Sequence, residues 1–179
     1  NLNSGIFPIS GTTEITAIQS SGNYYRSKAN GNWTTLATWE VDTDPAFSNP
    51  QNATAAPTSG NSVKVIISSG TKVTVSANVT AIDIEVNGTL ESTVTNPFAG
   101  ITGSMVFNSG SVYEHNFNGG ALPFPTAPAT IFWDANSTVK IIGITNSTTV
   151  FTNIAGQNFG HWEHNSPSQT SAFPYGITG

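Results

Sequence analysis

The chain contains no cysteine, which excludes disulfide staples, a thiolate-bound zinc and a cysteine nucleophile. It is also poor in charge: Asp, Glu, Lys and Arg make up 8% of its 179 residues, against roughly a quarter in an average soluble chain. Five residues are basic and ten acidic. Nucleic-acid binding needs clustered Lys and Arg to neutralise phosphates, so no nucleic-acid partner is expected. The same scarcity leaves no basic face for an anionic membrane. No apolar run approaches the ~20 residues of a spanning helix, so no membrane insertion is expected.

Ser, Thr, Asn and Gly supply the polar share instead, and they form hydrogen bonds without charge. The length suits one domain with a real core. The chain starts at Asn1 with neither a Met nor an apolar signal segment and ends at Gly179 in a loop-like stretch. The expectation is a piece of a longer, exported polypeptide.

Three stretches differ in composition. Residues 1–22 mix Gly, Ser and Thr and read as a linker or an added edge strand. Residues 23–62 combine the aromatic Tyr24, Tyr25, Trp33 and Trp39 with a Pro/Asp/Asn-rich loop. From residue 63 onward short β-branched runs alternate with period two: Val63–Ile67, Lys72–Val75 and Ala81–Val86. In the last run Ile82, Ile84 and Val86 are expected on one face, with Asp83 and Glu85 on the other. No window sustains a helical period, and Gly or Pro interrupts each candidate helix.

The turns echo one another. Gly70-Thr71, Gly88-Thr89-Leu90, Gly110-Ser111-Val112 and Ser137-Thr138-Val139 each place a small residue before a hydroxyl residue, at intervals of 18, 22 and 27. Units of this size with short strands and Gly/Asn turns predict an all-β chain coiled as a β-solenoid, in which each coil buries its apolar face against the next. An antiparallel sandwich shares the short strands and frequent turns and differs in its connections. A solenoid needs its first coil covered, and Tyr24, Tyr25, Trp33 and Trp39 stand where an aromatic N-terminal cap belongs.

The run Tyr24-Tyr25-Arg26-Ser27-Lys28, Asn30-Gly31-Asn32-Trp33 and Thr38-Trp39, followed by Pro57 and VKVIISSGTKVTVSANVTAIDIEVNGTLE at 63–91, resembles a known opening. It is similar to the start of secreted right-handed parallel β-helix surface proteins of the Bacteroidetes type. FNSGSVYEHNFNGGALP at 107–123, FWDANSTVKIIGIT at 132–145 and NFGHWEHNSPSQT at 158–170 are similar to later coils of such proteins. The resemblance implies a right-handed parallel β-helix, export that often proceeds by type IX secretion, and placement at the cell surface or in its surroundings. It says little about activity, because one fold carries many sites.

Five groups of residues invite a chemical reading. Asp83 and Glu85, two apart on one strand, would project together roughly 6–7 Å apart, as a carboxylate pair for glycoside hydrolysis would; a solvated strand face gives the same pattern. Glu40, Asp42 and Asp44 are expected to alternate across a loop whose oxygens would take calcium, the plain alternative being an acidic turn before Pro45. His161 and Glu163 share one strand face as a divalent-metal pair, or simply face water while Trp162 packs inward. Tyr113, Phe117 and Phe124 are the aromatics expected to stack on sugar rings, Phe117 and Phe124 bracketing a Gly/Pro loop. Arg26, the single arginine, falls in the cap rather than in the coils. The expected function is therefore a non-catalytic structural or adhesive module, with no resident cofactor unless calcium is one. Its expected partners are a polysaccharide, a cell-surface glycan or further copies of itself. A carbohydrate-active enzyme of the β-helix type, lyase or hydrolase, is the alternative.

Overall fold

A computed structural model describes residues 22–95, 97–119, 130–146 and 157–170. Strands β1 (Asn23–Ser27), β5 (Ser62–Ile67), β8 (Asp83–Val86), β11 (Ser104–Phe107) and β13 (Thr130–Trp133) pair in parallel along one sheet. A second sheet stacks β2 (Gly31–Asn32), β6 (Lys72–Val75), β9 (Thr89–Ser92), β12 (Val112–His115), β14 (Thr138–Ile141) and β15 (His161–His164), also in parallel. A short third face pairs β7 (Thr80–Ala81) with β10 (Gly100–Ile101). The chain passes from the first sheet to the second at β1–β2, β5–β6, β8–β9, β11–β12 and β13–β14, and like strands stack. The fold is an all-β parallel solenoid, and the parallel pairing decides against the sandwich.

The strand alternation sets the core. Val65, Ile84, Met105 and Ile131 lie in register on the first sheet, beside Ile67, Val86, Phe107 and Trp133. On the second sheet, Val73, Leu90, Tyr113, Val139 and Trp162 form one inward column, and Val75, Ser92, His115, Ile141 and His164 the next. Parallel strands stand about 4.8 Å apart, so like side chains touch from coil to coil. Phe107 stacks on Trp133 with ring centroids 3.9 Å apart, and Tyr113 meets Phe107 edge-on at 6.2 Å.

One run departs from its expected pattern. Residues 81–86 do not make a single strand: β7 ends at Ala81, the chain turns a corner, and β8 begins at Asp83. Ile82 therefore points to solvent instead of joining Ile84 and Val86.

Among the described residues, β1 and β2 already stack on β5 and β6, so residues 23–32 belong to the coils. The free edge of β1 is covered by β3 (Trp39–Asp42) and β4 (Gln51–Asn52), which add antiparallel. Behind this cover Trp33 and Trp39 are fully buried, 5.3 Å apart and edge to face. Their indole N–H groups are both satisfied, Trp39 donating to the Trp33 carbonyl and Trp33 to the Pro57 carbonyl. Tyr25 joins the cluster. Tyr24 does not: it lies on the opposite face of β1, half-buried, across from Lys64 and Asp42. The edge strand expected of residues 1–22 lies outside the described residues except for Gly22.

Candidate functional site

Asp83 and Glu85 do share the outer face of β8, as period-two alternation requires. Each is held by the neighbouring coils. One oxygen of Asp83 accepts the backbone N–H of Ser104 at 2.7 Å and its hydroxyl at 2.9 Å. Glu85 pairs with Lys64 at 3.1 Å and accepts from the amides of Asn87 and Asn108. Burial alone would raise the Glu85 carboxyl, but hydrogen bonds from Asn87 and Lys64 outweigh it and hold its pKa below the ordinary value. A general acid needs the opposite shift.

The second sheet assembles a group that spacing along the chain does not reveal. Register places Glu114 directly beside Glu91, on the outer face of adjacent coils. Lys72 reaches both, at 3.0 Å to Glu91 and 2.6 Å to Glu114. Glu91 is nearly buried and also accepts from Thr74 and Asn116, at 2.7 Å each. Burial acts to raise its pKa, and these three partners reverse the shift, leaving it lowered. Lys72 responds in the opposite sense: desolvation disfavours its charge, the two carboxylates more than compensate, and its pKa is raised. Farther along the same face Lys140 pairs with Glu163 at 3.3 Å. Counting three residues on from Gly88, Ser111 and Ser137 leads to Glu91, Glu114 and Lys140, but the echoed turns set Gly88 beside Gly110 rather than Ser111, so the echo by itself misses Glu114.

Glu40 and Asp42 lie on β3 rather than in a loop. Glu40 turns to Arg26, which donates Nε at 2.6 Å and Nη2 to the same carboxylate oxygen. Asp42 caps the backbone N–H groups of Asp44 and Asn49, while Asp44 caps Ala46 and binds the Ser48 hydroxyl. The Ser48 and Ala46 hydrogen bonds hold the Asp44 carboxyl below its usual pKa. Between these caps Phe47 sits at φ 53°, a strained value for a bulky residue. It is buried with the Arg26 guanidinium 4.3 Å from its ring centre. The three acids thus act on the turn and on Arg26, and their oxygens do not converge. Among the described residues, no three His, Asp or Glu side chains gather closely enough to hold a metal ion.

His161 and Glu163 both face outward from β15, with Trp162 and His164 turned toward the core. Tyr113 corrects its expected role: it is fully enclosed among Phe107, Leu90 and Val139, so no ring face is open to a sugar. Phe117 is half-buried against His115, ring centres 4.0 Å apart. Phe124 lies outside the described residues. The aromatic most exposed among the described residues is Phe132, at 56% on the outer face of β13, and it was not singled out from the sequence.

A shallow depression of about 640 Å³ opens where the first coils turn from one sheet to the other, lined by Arg26, Ser27, Lys28, Ile66, Ser68, Ser69, Thr71 and Asn87. Its floor is rigid: the Ser27 and Thr71 hydroxyls meet at 2.6 Å, Ser68 N–H donates to Ser27 Oγ at 2.8 Å, and Thr71 donates to the Ser68 carbonyl. Comparison with protein-family models, curated proteins and solved structures finds no match for the chain.

Proposed function

We propose that the chain is a non-catalytic structural and adhesive module of a secreted bacterial surface protein, its outer faces presented to glycans or to further copies of the module. The observation that carries this reading is the direction of the polar contacts. Lys64–Glu85, Asp83–Ser104, Thr74–Glu91–Asn116, Lys72–Glu114 and Lys140–Glu163 all run from coil to coil. A chain with so few charges spends them along the axis of the stack, where they resist shear between coils. Export, type IX secretion and Bacteroidetes-type origin belong to the same proposal and rest on the sequence resemblance. A calcium requirement belongs to the same proposal, with no site assigned to it, since Glu40, Asp42 and Asp44 are engaged with Arg26 and the turn at 42–49.

One observation favours the enzymatic alternative. Parallel register brings Glu91 and Glu114 side by side with Lys72 between them, and a pair of carboxylates on one face is the donor set that glycoside hydrolysis uses. The two readings part in a single experiment. The purified domain is incubated with plant, algal and microbial polysaccharides, with and without calcium, and retention and released reducing or unsaturated ends are read from the same tubes. Retention without products is the expected result. Products that vanish in Glu91→Gln or Glu114→Gln, or in the double Asp83→Ala/Glu85→Ala variant, would replace the adhesive reading with the catalytic one.

A further inference from the structure

We infer that the corner depression beside β1 binds the anionic group of an acidic saccharide, a carboxylate or a sulfate, with Lys28 as its cationic contact. The inference rests on the adhesive reading and names a site and a ligand class for it.

Charge accounting over the molecule singles out Lys28. The five basic residues all lie in described segments. Arg26 is neutralised by Glu40, Lys64 by Glu85, Lys72 by Glu91 and Glu114, and Lys140 by Glu163. Lys28 instead meets the side-chain oxygen of Asn52, a neutral amide, and is solvent-exposed. Among the described residues, Lys28 is thus the basic side chain without a carboxylate partner, and it stands at the rim of the depression.

The depression suits a sugar in other respects. Ser27, Ser68 and Thr71 bond to one another and preorganise the floor, so little is lost in ordering it on binding. Ser69 is exposed at the rim, and Ile66 offers an apolar patch for the ring's C–H face. Two carboxylates lie near, Glu40 on Arg26 and Glu85 on Asn87, and each is already paired with a cation. The local charge is therefore positive although the chain carries a formal net charge of −5. At physiological salt, charges beyond about 8 Å are largely screened, so the local balance governs.

Affinity electrophoresis in matched gels tests this: dextran against dextran sulfate, and polygalacturonate against its methyl ester. The wild-type domain is expected to be retarded by one or both anionic polymers, less so as salt rises, and not by the neutral partners; which of the two retards it separates sulfate from carboxylate. Lys28→Gln should weaken retention about three- to fivefold, the ceiling for one exposed charge contact, and Lys28→Glu should abolish it. Both variants should keep the wild-type melting temperature, because Lys28 is exposed. Equal retention by neutral polymers, or retention that survives Lys28→Glu, would overturn this site while leaving adhesion elsewhere on the module standing. Absence of retention by every polymer, in this assay and in the wider panel, would overturn both the site and glycan adhesion.

Discussion

His115 shows how a single residue sets a condition on the fold. It is fully buried between Ser92 and Ile141 on neighbouring coils, with Nε2 3.2 Å from the Gly119 carbonyl. Burial pushes its imidazole pKa down to about 4, from an ordinary 6.5. A group whose folded pKa is depressed binds fewer protons in the native state, so its contribution is complete above pH 6.5 and drains away as pH falls toward 4. At about 1.4 kcal/mol per pKa unit, the loss is of order 3 kcal/mol. Urea unfolding at a series of pH values should show this slope, and His115→Leu should flatten it. Unchanged pH dependence in that variant would place the effect elsewhere. Below about pH 4.5 a second loss should set in as Glu85 and Glu91, both held low by their partners, take up protons. Tyr113 carries the opposite lesson. Glu114 needs water or a cation, so alternation along Val112–His115 sends Tyr113 and His115 inward together. Those four residues alone therefore place Tyr113 in the core rather than on a sugar-binding face.

Among the elements, the corner turns do most to define the coil. Gly70 and Gly110 both adopt φ 78°, the left-handed region that glycine enters without a Cβ penalty. Gly88 differs: it occupies the short turn between β8 and β9, where a side chain would press into the carbonyl oxygens of Ser68 and Thr71 on the preceding coil. Replacing Gly70 by Ala meets open space and should cost about 1 kcal/mol of backbone strain. Replacing Gly88 by Ala forces two coils apart and should cost more than about 2 kcal/mol. Equal losses in thermal or urea unfolding would refute the distinction. The echoed turns thus carried real structural information, but with an offset: Thr89 aligns with Lys72 and Val112, so Gly88 stands opposite Thr71 and Ser111 rather than opposite Gly70 and Gly110. Unequal turn lengths hide that offset from any reading along the chain alone.

For the molecule as a whole, the stack is one-dimensional, with each coil touching its neighbours. Protection against amide hydrogen exchange should therefore be higher in β5, β6, β8 and β9, each flanked by strands on both sides, than in β4, the outermost strand of the first sheet. Truncating Trp39 to Ala should cost about 3–5 kcal/mol and lower protection first in β1 and β5, since the indole lies under the N-terminal cover and its N–H bonds the Trp33 carbonyl. Uniform protection across the strands would mean that the coils unfold as a single unit. The sequence by itself settled the all-β class and pointed to stacked coils with an aromatic cluster, because period-two alternation, echoed turns and clustered Trp are local or nearly local signals; the parallel pairing that excludes a sandwich is a tertiary fact. The tertiary structure alone decided which charges meet. Glu91 and Glu114 share Lys72, and Lys28 is left facing an amide, because parallel stacking joins residues a full coil apart and the turn lengths, not the alternation, set their register.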